Sequence, residues 1–200
     1  MRTLVTTFGR MNPPTNSHIK LIKTMIDLAT IKNGNVKVYL SETWDEKKNP
    51  LTIHDKTKII HNTLSDKLPV YSIDKAKDVL DVLKLNDTMY DKIIFVCGSD
   101  REEEYRILLN KYNGNLYSFK EIVVYGISRK DGISATLARK MACQGNYKEF
   151  SKIVPVFDRD KVYSKIRSIC CPYGVMMEDG QNYLNNINTP ECEKWILKKY

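Results

Sequence analysis

The chain has 200 residues, 42% of them hydrophobic, enough to fill one sizeable core, so one domain with a C-terminal extension is expected. Its 32 basic and 24 acidic residues leave a formal charge of +8, which suits an anionic partner but does not choose between a nucleotide, a nucleic acid and simple solubility. No apolar run approaches a membrane span, the first residues lack the basic and apolar regions of a signal peptide, and the five cysteines (Cys97, Cys143, Cys170, Cys171, Cys192) form no C-x-x-C, so a reducing, cytoplasmic setting with no disulfide framework and no zinc site is expected.

Thr3-Leu4-Val5-Thr6-Thr7-Phe8 is rich in β-branched and apolar residues and reads as a buried strand. The string Gly9-Arg10-Met11-Asn12-Pro13-Pro14-Thr15-Asn16-Ser17-His18 closes it: the two prolines force a sharp exit, and Thr15 or Asn16 can cap a helix. In that helix Ile19, Leu21, Ile22, Met25, Ile26 and Leu28 recur at helical spacing, with Lys20, Lys23 and Asp27 on the other face. A strand, turn and helix in this order aim free backbone N–H groups and the positive helix end at one spot beyond the strand, which makes an anion site. His18 falls in the first helical turn, three residues after Thr15, so both side chains can face that anion.

Asn33-Gly34-Asn35 is a turn into a second strand, Val36 to Ser41. A polar loop from Glu42 to Thr52 follows, and Thr52 can cap a helix from about Ile53 to Leu64 with Ile53, Thr57, Ile60 and Leu64 inward. Leu68 to Ile73 reads as a short third strand, and Asp74 as the cap of a helix burying Ala76, Val79, Leu80 and Leu83. Lys92 to Gly98 is the clearest strand, uninterrupted and apolar as a central parallel strand should be. A helix from Arg101 to Lys111 and a fifth strand from Glu121 to Gly126 complete the alternation. Beyond these, Ser134 or Thr136 can cap a further helix, and the tail holds a helix from Asp158 to Ser168, a Cys-Pro-Tyr-Gly break and a short helix around Glu191 to Lys199.

Strands alternating with helices imply an α/β fold: a Rossmann-like doubly wound parallel sheet of about five strands in residues 1–155, with a small C-terminal helical extension, residues 156–200, packed on it. Ligands in such sheets bind beyond the carboxyl ends of the strands, and every distinctive motif here falls at that end.

The string from Gly9 to His18 resembles the [H/T]-x-G-H signature of the nucleotidyltransferase superfamily. Within it, Gly9, Asn12, Pro13, Thr15, Asn16 and His18 match the G-S-F-N-P-x-T-N-x-H of eukaryotic nicotinamide mononucleotide (NMN) adenylyltransferases, and Arg10 resembles the G-R-F-x-P opening of archaeal members. Ser17 stands where the wider superfamily has glycine. Asp131-Gly132-Ile133-Ser134-Ala135-Thr136-Leu137-Ala138-Arg139 resembles the second hallmark, I-S-x-T-x-x-R. Asp45, Lys47-Lys48 and Leu51 resemble the D-x-Y-x-K-x-x-L loop, and Gly98-Ser99-Asp100 the G-x-D turn. Each segment also has a plain structural reading: a solvated lysine loop, an Asp100 that caps the following helix, a serine-capped helix with an exposed arginine. His54 and His61 read as surface or partly buried histidines, Trp44 as a stacking residue or a lid anchor, and Arg129 and Lys130 as added positive potential or a solvated pair.

The resemblance implies transfer of a nucleotidyl group: an acceptor phosphate attacks the α-phosphorus of a nucleoside triphosphate and pyrophosphate leaves. It implies His18, Thr15, Lys47 and Arg139 as catalytic residues, with Gly9, Arg10, Asn12, Lys48, Gly98, Asp100, Ile133, Ser134 and Thr136 binding the nucleotides. Mg²⁺ is expected as a cofactor carried by the triphosphate, with no metal site of the protein's own. The expected partners are ATP and a phosphorylated small-molecule acceptor, NMN favoured, with NAD as product; no membrane or nucleic acid is required, and the extension could serve a homo-oligomer. The alternatives are a cytidylyltransferase acting on a phosphorylated alcohol, a non-catalytic nucleic-acid-binding module using the basic residues from Arg129 to Lys148, and a regulatory relative that has lost activity.

Overall fold

The computed structural model describes residues 1–45, 48–67, 70–128 and 132–170. Five strands, β1 (Thr3–Gly9), β2 (Asn35–Ser41), β3 (Tyr71–Ala76), β4 (Lys92–Gly98) and β5 (Glu121–Ile127), form one sheet in the order β3-β2-β1-β4-β5. All four pairings are parallel, with Leu4 opposite Asn35 and Thr3 opposite Lys92 setting the central registers. Among the described residues seven α-helices accompany it: α1 (Asn16–Lys32), α2 (Ile53–Thr63), α3 (Val79–Lys84), α4 (Glu102–Lys111), α5 (Ala135–Cys143), α6 (Tyr147–Ile153) and α7 (Arg159–Cys170). The expected doubly wound α/β sheet is present, and its strand order reverses between β1 and β4, which opens a crevice at their carboxyl ends.

Both faces of the sheet are covered, which is why β1 and β4 are buried without alternation. Val5, Ile94 and Val96 point to one side and pack with Ile22, Met25 and Ile26 of α1 and Ile60 of α2. Their neighbours Leu4, Ile93 and Phe95 point to the other and pack with Val82 and Leu83 of α3 and Tyr105 and Leu109 of α4. A third apolar layer joins Leu51 and Ile59 to Ala138, Ala142, Phe150, Ile153, Val162 and Ile166, so α7 is built into a layer shared by α2, α5 and α6. Among the described residues, no helix is long and apolar enough to cross a membrane.

Two expectations need correction. The third strand is Tyr71–Ala76, with Asp74 inside it, and the cap of α3 is Asp78, whose side chain accepts from the N–H of Asp81. β3 pairs only with β2, so Ser72, Asp74 and Lys75 stay solvated on an edge strand, and a polar edge strand looks like the start of a helix. The cysteines are also not all free: Cys143, the last residue of α5, and Cys170, the last of α7, form a disulfide with Cα atoms 5.3 Å apart. Helix packing makes that pair, and sequence spacing carries no sign of it. Leu68 and the expected helix around Glu191 to Lys199 lie outside the described residues.

Candidate active site

The turn after β1 shapes the crevice. Met11 adopts a left-handed backbone (φ 44°) and the Asn12–Pro13 peptide is cis, so the chain reverses within a few residues and enters α1 at Thr15. Thr15 is buried and holds the N-cap position with extended backbone. Its backbone N–H donates to Nδ1 of His18 (3.0 Å), and its hydroxyl lies 2.9 Å from the same nitrogen. A backbone N–H can only donate, so Nδ1 is the acceptor and the neutral ring carries its proton on Nε2. The imidazole thus takes the place that a glutamate fills in an ordinary capping box, and it lines the crevice as a hydrogen-bond donor.

A second helix N-terminus meets the first. Ser134 caps α5, its hydroxyl accepting from the N–H of Leu137 (3.1 Å). Arg139, one turn into α5, donates to the carbonyl of Asn12 (2.5 Å) and to the hydroxyl of Thr136 (3.2 Å), which ties this helix to the turn after β1. Asn16 Nδ2 donates to the carbonyl of Lys152 and so holds α1 against the end of α6. Both helices therefore point their positive ends into one cavity of about 270 Å³ at the carboxyl ends of β1 and β4.

That cavity is lined by Arg10, Lys20, Arg101 and Arg139 together with His18, and by no carboxylate among the described residues. Such a wall stabilises anions and repels none of them. Gly9 and Gly98, at the ends of β1 and β4, line the cavity with no side chain between it and the backbone. Among the described residues no group of three or more His, Cys, Asp or Glu could hold a metal ion.

Gly9, Arg10, Asn12, His18, Gly98, Ile133, Ser134, Thr136 and Arg139 are all brought together here. Thr15 is not on the wall: its side chain is fully buried and spent on His18, so only His18 of the pair faces the anion site. Asn12 touches the cavity, but its amide is committed elsewhere, donating to the Leu51 carbonyl (2.9 Å) and accepting from the Leu51 N–H (3.0 Å). Lys48 is exposed and away from the cavity, its N–H held by Asp45, while Lys47, Arg129 and Lys130 lie outside the described residues. Asp100 sits exposed in a 3₁₀ turn, Ser99–Arg101; it neither lines the cavity nor caps α4, whose N-cap is Arg101. Trp44 and His54 are exposed, and His61 packs edge-on against Tyr71.

Residues that motif reading passed over complete the wall. Arg101 stacks over the ring of Tyr105 (4.6 Å to its centre) and forks onto Glu104 through Nε (3.1 Å) and Nη2 (3.0 Å), so the hydrogen bonds to Glu104 push its pKa up and fix its charge. An arginine directly after the G-x-D turn was the available signal. Lys56 of α2 was missed because a lysine reads as solvent-exposed, although its spacing from Ile53 and Ile60 puts it on the inward face; it is 1% exposed.

No protein-family model and no curated protein matches the sequence. Solved structures do match the fold. The chain is similar to a Plasmodium falciparum nicotinic acid mononucleotide adenylyltransferase complexed with NaAD, with a TM-score of 0.61 at 14% identity over 82% of this chain and 96% of that one. It is similar to a Vibrio parahaemolyticus protein assigned as a nicotinate-nucleotide adenylyltransferase, with a TM-score of 0.59 at 15% identity over 84% of this chain and 96% of that one. It also resembles Thermotoga maritima TmcAL bound with alpha-thio ATP, with a TM-score of 0.52 at 14% identity over 84% of this chain and 56% of that one. At these identities the likeness establishes a shared fold.

Proposed function

We propose that this protein is a nucleotidyltransferase that transfers the adenylyl group of ATP to the phosphate of a pyridine mononucleotide, NMN or its nicotinate counterpart, and releases pyrophosphate. The observation that carries the proposal is the convergence of two helix N-termini, His18 and Arg139 on one cavity at the sheet's switch point, with no carboxylate among its described lining residues. The fold shared with nicotinate-nucleotide adenylyltransferases supports the same reaction class and brings the nicotinate acceptor into consideration.

The attacking phosphate is already an anion, so the reaction needs no general base. Catalysis then consists of holding two anions in line and stabilising the charge that grows on the α-phosphate and the leaving oxygens. Nε2–H of His18 donates to the α-phosphate, and Nδ1 stays an acceptor throughout because Thr15 fixes it. The amides at the start of α5, the Thr136 hydroxyl and the Arg139 guanidinium hold the β- and γ-phosphates. The described lining of the cavity offers cations, hydroxyls and amides and no carboxylate, so none of these residues would hold Mg²⁺ directly; an ion carried by the triphosphate would supply neutralisation of the polyphosphate charge.

The test incubates the protein with Mg²⁺ and ATP plus NMN, or the nicotinate analogue, and follows pyrophosphate and dinucleotide together. Dinucleotide should form with at least one acceptor, and His18→Ala should lower kcat by about 10²-fold or more, the loss of one preorganised donor to developing charge. Pyrophosphate release only with CTP and a phosphorylated alcohol would keep the chemistry and replace the substrates. No turnover with any triphosphate would overturn the proposal.

A further inference from the structure

Behind the cavity wall lies an ammonium group whose position is electrostatically costly. Lys56 is in the first turns of α2, 1% exposed, at the helix end where the macrodipole disfavours a cation. No carboxylate pairs with it among the described residues, and burial pulls its pKa down to about 8. What holds it is two backbone carbonyls, those of Arg10 and Ser41, each 3.1 Å from Nζ. Ser41 is the last residue of β2 and Arg10 the first beyond β1, so both carbonyls stand where the ladder between these strands has ended. Arg10 belongs to the turn that forms the cavity wall, and Ser41 begins the loop that carries Asp45 and Lys48. The Asn12 amide, paired on both atoms with Leu51, is a second tie between the same two segments.

We propose that Lys56 is a positioning residue for the transfer reaction, an ammonium clamp that fixes the turn after β1 to the loop after β2 and supplies positive charge from behind the turn that receives the substrate phosphates. The proposal rests on the adenylyl-transfer function above. A buried cation without a counter-ion gains when polyphosphate enters the neighbouring cavity, so the cost borne by the free protein is returned in the bound state. Deprotonation reverses both roles: a neutral amine is a weaker donor to two carbonyls and adds no field. Among the described residues, the other titratable and charged groups on α2 and on the two segments that Lys56 ties are His54, Asp55, Lys58, His61, Arg10, Glu42, Asp45 and Lys48. Asp55 is engaged with Thr52 and Lys165, Lys58 with Asp158, Glu42 with Lys75, and Asp45 with Lys48 and Asn49.

Lys56→Met, close in length and apolar, and Lys56→Arg, which stays charged, separate the two contributions. In the wild type, kcat/KM for ATP should fall on the alkaline side with a midpoint near pH 8, the value for Lys56 in the free protein. Lys56→Met should lose about 10²-fold in kcat/KM at pH 7 while calorimetric titration with Mg²⁺ and ATP still shows binding. Lys56→Arg should recover most of that loss, and its alkaline limb should move out of the range near pH 8. Wild-type kcat/KM in Lys56→Met, or an unchanged limb in Lys56→Arg, overturns the proposal and leaves the function standing. Should Lys56→Met not fold, the pH profile of Lys56→Arg decides alone. A wild type that neither binds ATP nor releases pyrophosphate overturns the function and this proposal with it.

Discussion

At Thr15 one hydroxyl orients the imidazole of His18, which lines the cavity. The backbone N–H of Thr15 already makes Nδ1 of His18 an acceptor; the hydroxyl at 2.9 Å adds the second contact that stops the ring from turning in its slot. Thr15→Val keeps the buried shape and removes that contact. A neutral hydrogen bond is worth about 1 kcal/mol net, and if its loss falls on the transition state, kcat drops about five- to tenfold. Steady-state kinetics should show that drop with little change in ATP affinity, and Thr15→Ser should restore it. Equal kcat in Thr15→Val would mean that the backbone alone sets the ring. The motif string shows Thr15 and His18 three residues apart, but not that one points inward to hold the other; that follows from the extended backbone at the cap.

Helix α5 does two jobs at its start. The Ser134 hydroxyl satisfies one of its orphan N–H groups, and the N–H groups left over, together with Thr136 and Arg139, face the cavity. Ser134→Ala should lower stability by about 1 kcal/mol through loss of the cap, read as a shift in the denaturant midpoint. It should also weaken ATP binding several-fold if the first turn, which would fray without its cap, holds the phosphates as proposed. A variant as stable as wild type that binds ATP equally well would show that Ser134 serves neither role. The other elements were legible to different degrees. Uninterrupted apolar strands such as Lys92 to Gly98 declare themselves, since a strand buried on both faces has no polar positions. β3 did not, because an edge strand needs only every other residue buried and Asp74 was free to look like a cap.

Across the whole molecule, the layer formed by α5, α6 and α7 is attached to the rest through α2 as well as through the Arg139–Asn12 and Asn16–Lys152 hydrogen bonds. Asp55 accepts from Thr52 (N–H 3.0 Å, hydroxyl 2.9 Å) on its own helix and from Lys165 Nζ (2.8 Å) on α7. Burial by itself raises its pKa, but the hydrogen bonds from Lys165 and Thr52 outweigh it and leave the carboxyl below its usual range. A carboxylate whose folded pKa is depressed stabilises the fold above its unfolded value, about 4, and loses that contribution as pH falls through the folded value. Chemical unfolding at pH 6 and again near pH 3 should therefore show a larger acid loss in the wild type than in Asp55→Asn. Equal losses would assign acid sensitivity to other groups. Arg167 of α7 holds the layer together within itself, donating to the carbonyls of Ala142 and Cys143 at the end of α5, beside the Cys143–Cys170 disulfide.

What the sequence determined alone is the α/β alternation, the crevice-end location of the motifs and the identity of the groups that meet there: Gly9, Arg10 and His18 after the first strand, Gly98 after the fourth, Ser134, Thr136 and Arg139 at the last turn. These are local facts, since strand composition, capping residues and helix polarity act over a few residues. Only tertiary structure decided that Thr15 and Asn12 are buried supports, that Asp100 stays outside, that Arg101 joins the wall and that Lys56 stands behind it. Each of those depends on which strand end a side chain meets across the fold, Asn12 with Leu51 and Lys56 with Arg10 and Ser41, and such meetings are set by the packing of distant segments.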